Sequence, residues 1–119
     1  MMQFEDLVTW KEARSLVKLI YDLTRKPEIE RDFRLIDQLR GSAVSIMTNL
    51  AERFERQHIK EKIQFYNISR ASSGELRSLL YVVDDSFLAL KDEVQTCREQ
   101  LIRVGKLVTG LLQSTQKRL

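Results

Sequence analysis

The sequence predicts an all-α fold: an up-down-up-down antiparallel bundle of four helices. Three observations predict it. Apolar residues recur at three-and-four spacing in four consecutive stretches, strand-like alternation is absent, and the single proline, Pro27, falls between the first two stretches. The four glycines of the 119 residues all fall inside helical stretches and do not interrupt the pattern.

The first helix is expected over about residues 6–25. Trp10, Ala13, Val17, Ile20 and Thr24 share one face, and Leu16, Leu19 and Leu23 form a second stripe beside it. Lys11, Arg14, Lys18, Asp22 and Arg25 fall opposite. The two stripes together are wider than the roughly 100° of an ordinary surface helix. Pro27 stops the helix, since its ring cannot continue the hydrogen-bond ladder. The second helix, over about 32–55, carries Leu35, Leu39, Ala43, Ile46, Leu50 and Phe54, with Asp32 placed to cap it. The third, over about 59–88, carries Phe65, Ile68, Ser72, Leu76, Leu79, Val83 and Phe87. His58 stands at its N-cap with Glu61 three residues on, a weak capping box. The fourth, over about 92–116, repeats Val94, Cys97, Leu101, Val104, Val108 and Leu111 as a heptad seam, with Ile102, Leu107 and Leu112 outside it. Connections this short force successive helices antiparallel. Residues 1–119 read as one domain.

A hairpin turning near Gln57 fixes a register. The small cluster Gly41–Ser45 lies as far before that turn as Ser69–Gly74 lies after it, so the two helices can approach to about 8 Å there. The same ruler sets Arg40 level with Glu75. An ion pair between them would lock the register; the alternative is two unrelated surface charges, and an exposed pair would contribute at most about 1 kcal/mol.

Composition bounds the function. Hydrophobic residues make up 43% and charged residues 31%, values of a folded domain with charged outer faces. A chain this long buries roughly two-thirds of its unfolded surface and needs neither disulfide nor metal to fold. Cys97, the single cysteine, has no internal partner, which suits a reducing, cytoplasmic setting. The opening residues lack the basic and apolar regions of a signal peptide. No apolar run approaches the ~20 residues of a membrane span. The net charge of +3 is mild but uneven. Arg53 to Arg77 holds six basic against three acidic residues, and Arg98 to the end holds five against one. The stretch between them is acidic, with Asp84, Asp85, Asp92 and Glu93 against Lys91.

No constellation supports an enzyme. One histidine and one cysteine make no zinc set, and antiparallel helices place His58 and Cys97 at opposite bundle ends. There is no Glu-x-x-His pair for a carboxylate-bridged metal and no glycine-rich phosphate loop. No cofactor, metal or small-molecule substrate is expected. Asn49 and Glu52 lie one turn apart beside Leu50 and Phe54; a partly buried Asn49 must hydrogen-bond, which favours a structural role over a ligand site. Trp10, Tyr21, Tyr66 and Tyr81 lie on or near apolar stripes and read as core or interface rather than base-stacking platforms.

Phe4, Leu7, Trp10, Ala13 and Tyr21 resemble an F-x-x-L-x-x-W-x-x-A…Y opening. Pro27, Leu35, Gln38, Leu39 and Arg40 lead into the run Ala43 to Glu52, which is similar to an AVSI-x-[ST]-N-I-A-E-G signature. Phe65, Ile68, Ser73, Glu75 and Leu76 resemble a later F-x-x-[IL]-A-x-x-S-x-x-E-L pattern. These are patterns of the four-helix-bundle proteins encoded in intervening sequences of bacterial 23S ribosomal RNA. The sequence departs at Arg53 and Glu55, where the pattern has glycine. The resemblance implies a ring-like homopentamer, with Trp10, Gln38, Arg40, Ser45, Asn49, Glu52 and Glu75 as signature positions of structural or interface role. A relative in the same superfamily, the accessory protein of diversity-generating retroelements, is a basic pentamer that meets nucleic acid.

The expected function is that of a non-enzymatic homo-oligomeric scaffold or binding protein. Leu16, Leu19, Leu23, Ile102, Leu107 and Leu112 exceed what one bundle interface uses and are candidate interface residues; the alternative is that they pack within the monomer. The other functional reading is RNA or DNA binding through Arg53, Arg56, Lys60 and Lys62 around one bundle end, set against a merely solvated polar end.

Overall fold

A computed structural model describes residues 2–119; Met1, the first residue of the expected domain, lies outside the described residues. A 3-10 turn at Phe4–Asp6 leads into α1 (Val8–Thr24), followed by α2 (Phe33–Glu55) and α3 (Ile59–Ser86). A second 3-10 turn at Leu88–Leu90 leads into α4 (Lys91–Gln116), and there is no strand among the described residues.

Local chemistry sets the helix ends. α1 begins later than expected because Asp6 turns back to accept the Gln3 N–H at 2.8 Å, which closes a separate turn before an extended Leu7. Asp32 caps α2 by accepting the Leu35 N–H at 3.2 Å. Among the described residues none has positive φ, and α2 ends in an extended Arg56 (φ −88°, ψ 146°). A left-handed glycine end is therefore not needed, and Arg53 and Glu55 continue the helix where the signature has glycine. His58 occupies the N-cap of α3, but its side chain makes no capping hydrogen bond, so the expected capping box does not form. Phe87 leaves helical geometry (φ −134°, ψ 71°), and the completely buried Leu90 anchors the turn into α4.

Each helix packs on its neighbours in sequence, and α4 closes onto α1 in a rod 46 Å long. The cross-links read antiparallel. Arg40 Nε donates to Thr24 Oγ1 at 2.9 Å, Gln100 Nε2 donates to the Glu12 carbonyl at 2.8 Å, and Arg98 pairs with Asp84. The core is built from Leu16, Ile20, Leu39, Ile46, Leu76, Leu80, Leu101 and Val104 with their neighbours, all nearly inaccessible.

The core corrects three expectations. Leu16, Leu23 and Leu112 are buried within this single chain, because α1 is clasped between α2 and α4 and sinks both of its stripes. They offer no surface to a second copy. In α4 burial passes from Val108 to Leu112 rather than Leu111, as a straight helix of 3.6 residues per turn drifts from a strict heptad. In α3 the buried positions are Tyr66, Ser69, Ser72, Leu76, Leu80 and Val83, so Tyr66, Ser69 and Leu80 displace Phe65, Ile68 and Leu79.

The shift in α3 follows from its seam with α2. The Ser45 and Ser72 hydroxyls share a 2.8 Å hydrogen bond, and Ser69 Oγ donates to the Ile46 carbonyl at 3.1 Å. A serine reaches a backbone carbonyl across a helix interface only where the two backbones lie close. These pairs straddle Gln57 as the register requires. Arg40, by contrast, does not meet Glu75. Its guanidinium lies 4.4 Å over the Tyr21 ring while Nε bonds Thr24, so α1 offers both an aromatic face and an acceptor; Glu75 stays exposed and in no ion pair among the described residues.

Two substitutions test this packing by denaturant unfolding. Ser69→Leu wedges the seam apart and is expected to cost about 1–3 kcal/mol. Gly41→Ala places a Cβ that meets nothing within 4 Å and is expected to stabilise by about 0.5–1 kcal/mol through helix propensity. A neutral Ser69→Leu would contradict the close seam.

Candidate nucleic-acid interface

Antiparallel order brings the end of α2, the start of α3 and the end of α4 to one end of the rod. Arg53, Arg56, Lys60 and Lys62 gather there, and the tertiary structure adds Arg118, which lies close enough to act on Lys62 and Tyr66. The Arg53 guanidinium lies 4.8 Å over the Tyr66 ring and that of Arg56 lies 5.1 Å over Phe65. Arg56 also pairs with Glu52 at 3.1 Å, but both side chains are about half exposed, at 44% and 54%, so the pair contributes little stability. Lys60 is exposed and in no ion pair among the described residues.

The electrostatics of this end are strained. Desolvation lowers the pKa of Lys62 from the ordinary lysine value, and the charges of Arg53 and Arg118 lower it further. A lysine whose folded pKa is lowered opposes folding while protonated, and the penalty fades as pH rises from the folded value towards 10.5. Tyr66 is 1% exposed, and neither its hydroxyl nor Arg53 Nε has a hydrogen-bond partner. The neighbouring Thr115 hydroxyl is engaged with the Leu111 carbonyl at 2.8 Å. Burial raises the Tyr66 phenol above its usual value, against the opposing pull of Arg53, Thr115 and Arg118. The end therefore gathers the cations of Arg53, Lys62 and Arg118, and their mutual repulsion adds to the cost of burying Lys62.

The signature positions divide. Ser45 and Asn49 belong to the α2–α3 seam, with Asn49 Nδ2 donating to the Ser45 carbonyl at 2.8 Å and to Ser45 Oγ at 3.1 Å. Glu52 follows one turn later and holds Arg56. Trp10 packs edge-on against Phe4, ring centroids 5.2 Å apart, and carries Arg14 on its face. Gln38 and Glu75 are exposed, and Arg40 serves the α1–α2 contact. Of the remaining interface candidates Leu19 and Leu107 are half-buried, while Ile102 is 47% exposed. Sequence reasoning missed Arg118, whose only signal was the basic run at the chain end, and missed Val82 and Leu88 as exposed apolar side chains; Tyr81, read as core or interface, is 57% exposed.

Among the described residues no three His, Cys, Asp or Glu side chains gather to hold a metal ion, and no helix is long and apolar enough to cross a membrane. The family model described as 23S rRNA-intervening sequence protein matches residues 5–110, from the first turn through most of α4. No curated protein matches the chain.

Cys97 lies at the opposite end from His58 and is 2% exposed. Burial pushes its thiol up to about 11, with the charges of Asp22 and Glu93 adding to the rise. A raised folded pKa favours the protonated thiol. Its stabilising contribution is thus complete below the unfolded value of 9.0 and is lost as pH rises through about 11. A disulfide reagent at pH 8 is expected to modify Cys97 only as fast as the chain opens, with the rate rising in denaturant. Rapid native-state modification would contradict this burial.

Proposed function

The chain belongs to the 23S rRNA-intervening sequence protein family, and from that premise we propose that it acts without catalysis, as a homo-oligomeric binding protein built as a ring of five copies. The observation that carries the oligomer is a concentration of exposed apolar side chains on α3, the following turn and α4. Tyr81 is 57% exposed, Val82 44%, Leu88 78% and Ile102 47%. Single exposed hydrophobes are ordinary, but several on one helix pair mark a partner surface. The pentameric ring comes from the family resemblance. The absence of catalysis accords with an inert, buried Cys97 and a solitary His58 at the far end, and the free thiol accords with a cytoplasmic setting.

Light scattering tests the assembly. The chain is expected to run at a multiple of 14.0 kDa, and Leu88→Glu or Tyr81→Glu is expected to shift it towards the monomer while helical content is unchanged. A wild-type protein that is monomeric at tens of micromolar would sink the proposal.

The second reading is contact with RNA or DNA at the basic end. It is favoured by the convergence of Arg53 and Arg118 on Lys62, which phosphate groups would neutralise. Reversing Arg56 and Lys60 to glutamate is expected to weaken binding to a structured RNA and to flatten its dependence on salt, the slope falling by roughly 2. Binding indifferent to both reversals would remove this reading.

A further inference from the structure

A groove of about 510 Å³ runs along the side of the bundle between α3 and α4. Its walls carry Arg70 and Arg77 from α3 and Lys106 from α4 beside the apolar Leu101, Ile102 and Val108, of which Ile102 also belongs to the exposed apolar set above, and no aspartate or glutamate lines it. None of these three cations makes an ion pair among the described residues, although the chain uses Asp22, Glu52, Asp84 and Glu12 to pair other arginines. Arg70 and Arg77 are two helical turns apart, about 10 Å along the axis, so the charge is strung out rather than focused on a point. The hydroxyls of Ser73 and Thr109 and the Gln113 amide add uncharged donors along the same path.

The floor is bare for no internal reason. A Cβ at Gly74 or Gly110 would meet nothing within 4 Å, and one at Gly105 would meet only Ser73 Oγ at 3.6 Å. None of these glycines has positive φ, so neither packing within the chain nor backbone conformation demands them. Each weakens its helix relative to alanine. Their effect is to leave the helix backbone open to whatever enters between the cationic walls. No aromatic side chain lines the groove, so it offers nothing for bases to stack on.

We propose that this groove binds the phosphodiester backbone of a single-stranded polynucleotide through Arg70, Arg77 and Lys106, without reading its bases. The site is separate from the four basic residues Arg53, Arg56, Lys60 and Lys62, and none of those lines it. It shares the nucleic-acid class of ligand with the reading of the basic end and adds a second, lateral place for it. The groove reaches Gln113, one turn short of the end of α4, so a strand leaving it runs on towards that end.

The test is a salt titration with fluorescein-labelled oligouridylate and oligoadenylate of equal length, using the full chain. The wild type is expected to bind both equally. The triple variant R70Q/R77Q/K106Q is expected to lose at least tenfold in affinity at low salt, its log–log salt slope shallower by about 2. Gly74→Ala with Gly110→Ala is expected to raise Tm and yet weaken binding, a combination that general destabilisation cannot produce. Unchanged binding by the triple variant, or by the glycine pair, overturns the proposal. So does polyglutamate competing as well as oligouridylate at equal charge, which would assign the groove to an acidic protein. Loss confined to R56E/K60E would sink the groove and leave the basic end standing, whereas a wild type that binds no oligonucleotide at low salt would sink both.

Discussion

The close approach of α2 and α3 is the constraint on which the rest of the bundle depends. Ser69 can reach the Ile46 carbonyl, and Ser45 can meet Ser72, only if the two backbones are nearly in contact. That contact rotates α3 so that small residues face α2 and Tyr66, Leu76 and Leu80 face the core. It also fixes the hairpin register, with Asn49 tied to Ser45 on the same seam. Within the signature run from Ala43 to Glu52, Ser45 and Asn49 thus hydrogen-bond one another along the seam.

Once that seam is set, α1 has no freedom to display its leucines. It lies between α2 and α4, and Leu16, Ile20 and Leu23 vanish into the core while Arg40 reaches across to Thr24 and Tyr21. The α3–α4 side carries both exposed apolar and cationic side chains. Apolar side chains crowd towards the turn at Leu88–Leu90, and the cationic groove runs towards the other end. The two meet at Ile102, which is exposed and lines the groove.

The charges divide in the same way. Asp84 and Glu12 hold Arg98 and Arg103 in ion pairs that tie helices together, whereas Lys62 with Arg53 and Arg118, and separately Arg70, Arg77 and Lys106, stand without a counter-charge of their own. Burial chiefly, and the neighbouring charges of Arg53 and Arg118 in addition, lower the Lys62 pKa, so the protonated lysine opposes folding at neutral pH.

The sequence alone determined the helices. Spacing, Asp32 and Pro27 act through local hydrogen bonds and sterics, and a mirror at Gln57 sets the small clusters level. Tertiary structure decided everything that depends on where a neighbouring axis falls. Adjacent apolar positions such as Phe65 and Tyr66, or Leu111 and Leu112, differ by about 100° around a helix, and only the partner helix selects which one is buried. Arg40 chose Thr24 over Glu75 for the same reason. Arg118 joined Arg53 and Lys62 from the far end of the chain, and Gly74 met Gly105 in a common groove. Periodicity is a property of one segment; burial and encounter are properties of pairs of segments, and no single segment encodes them.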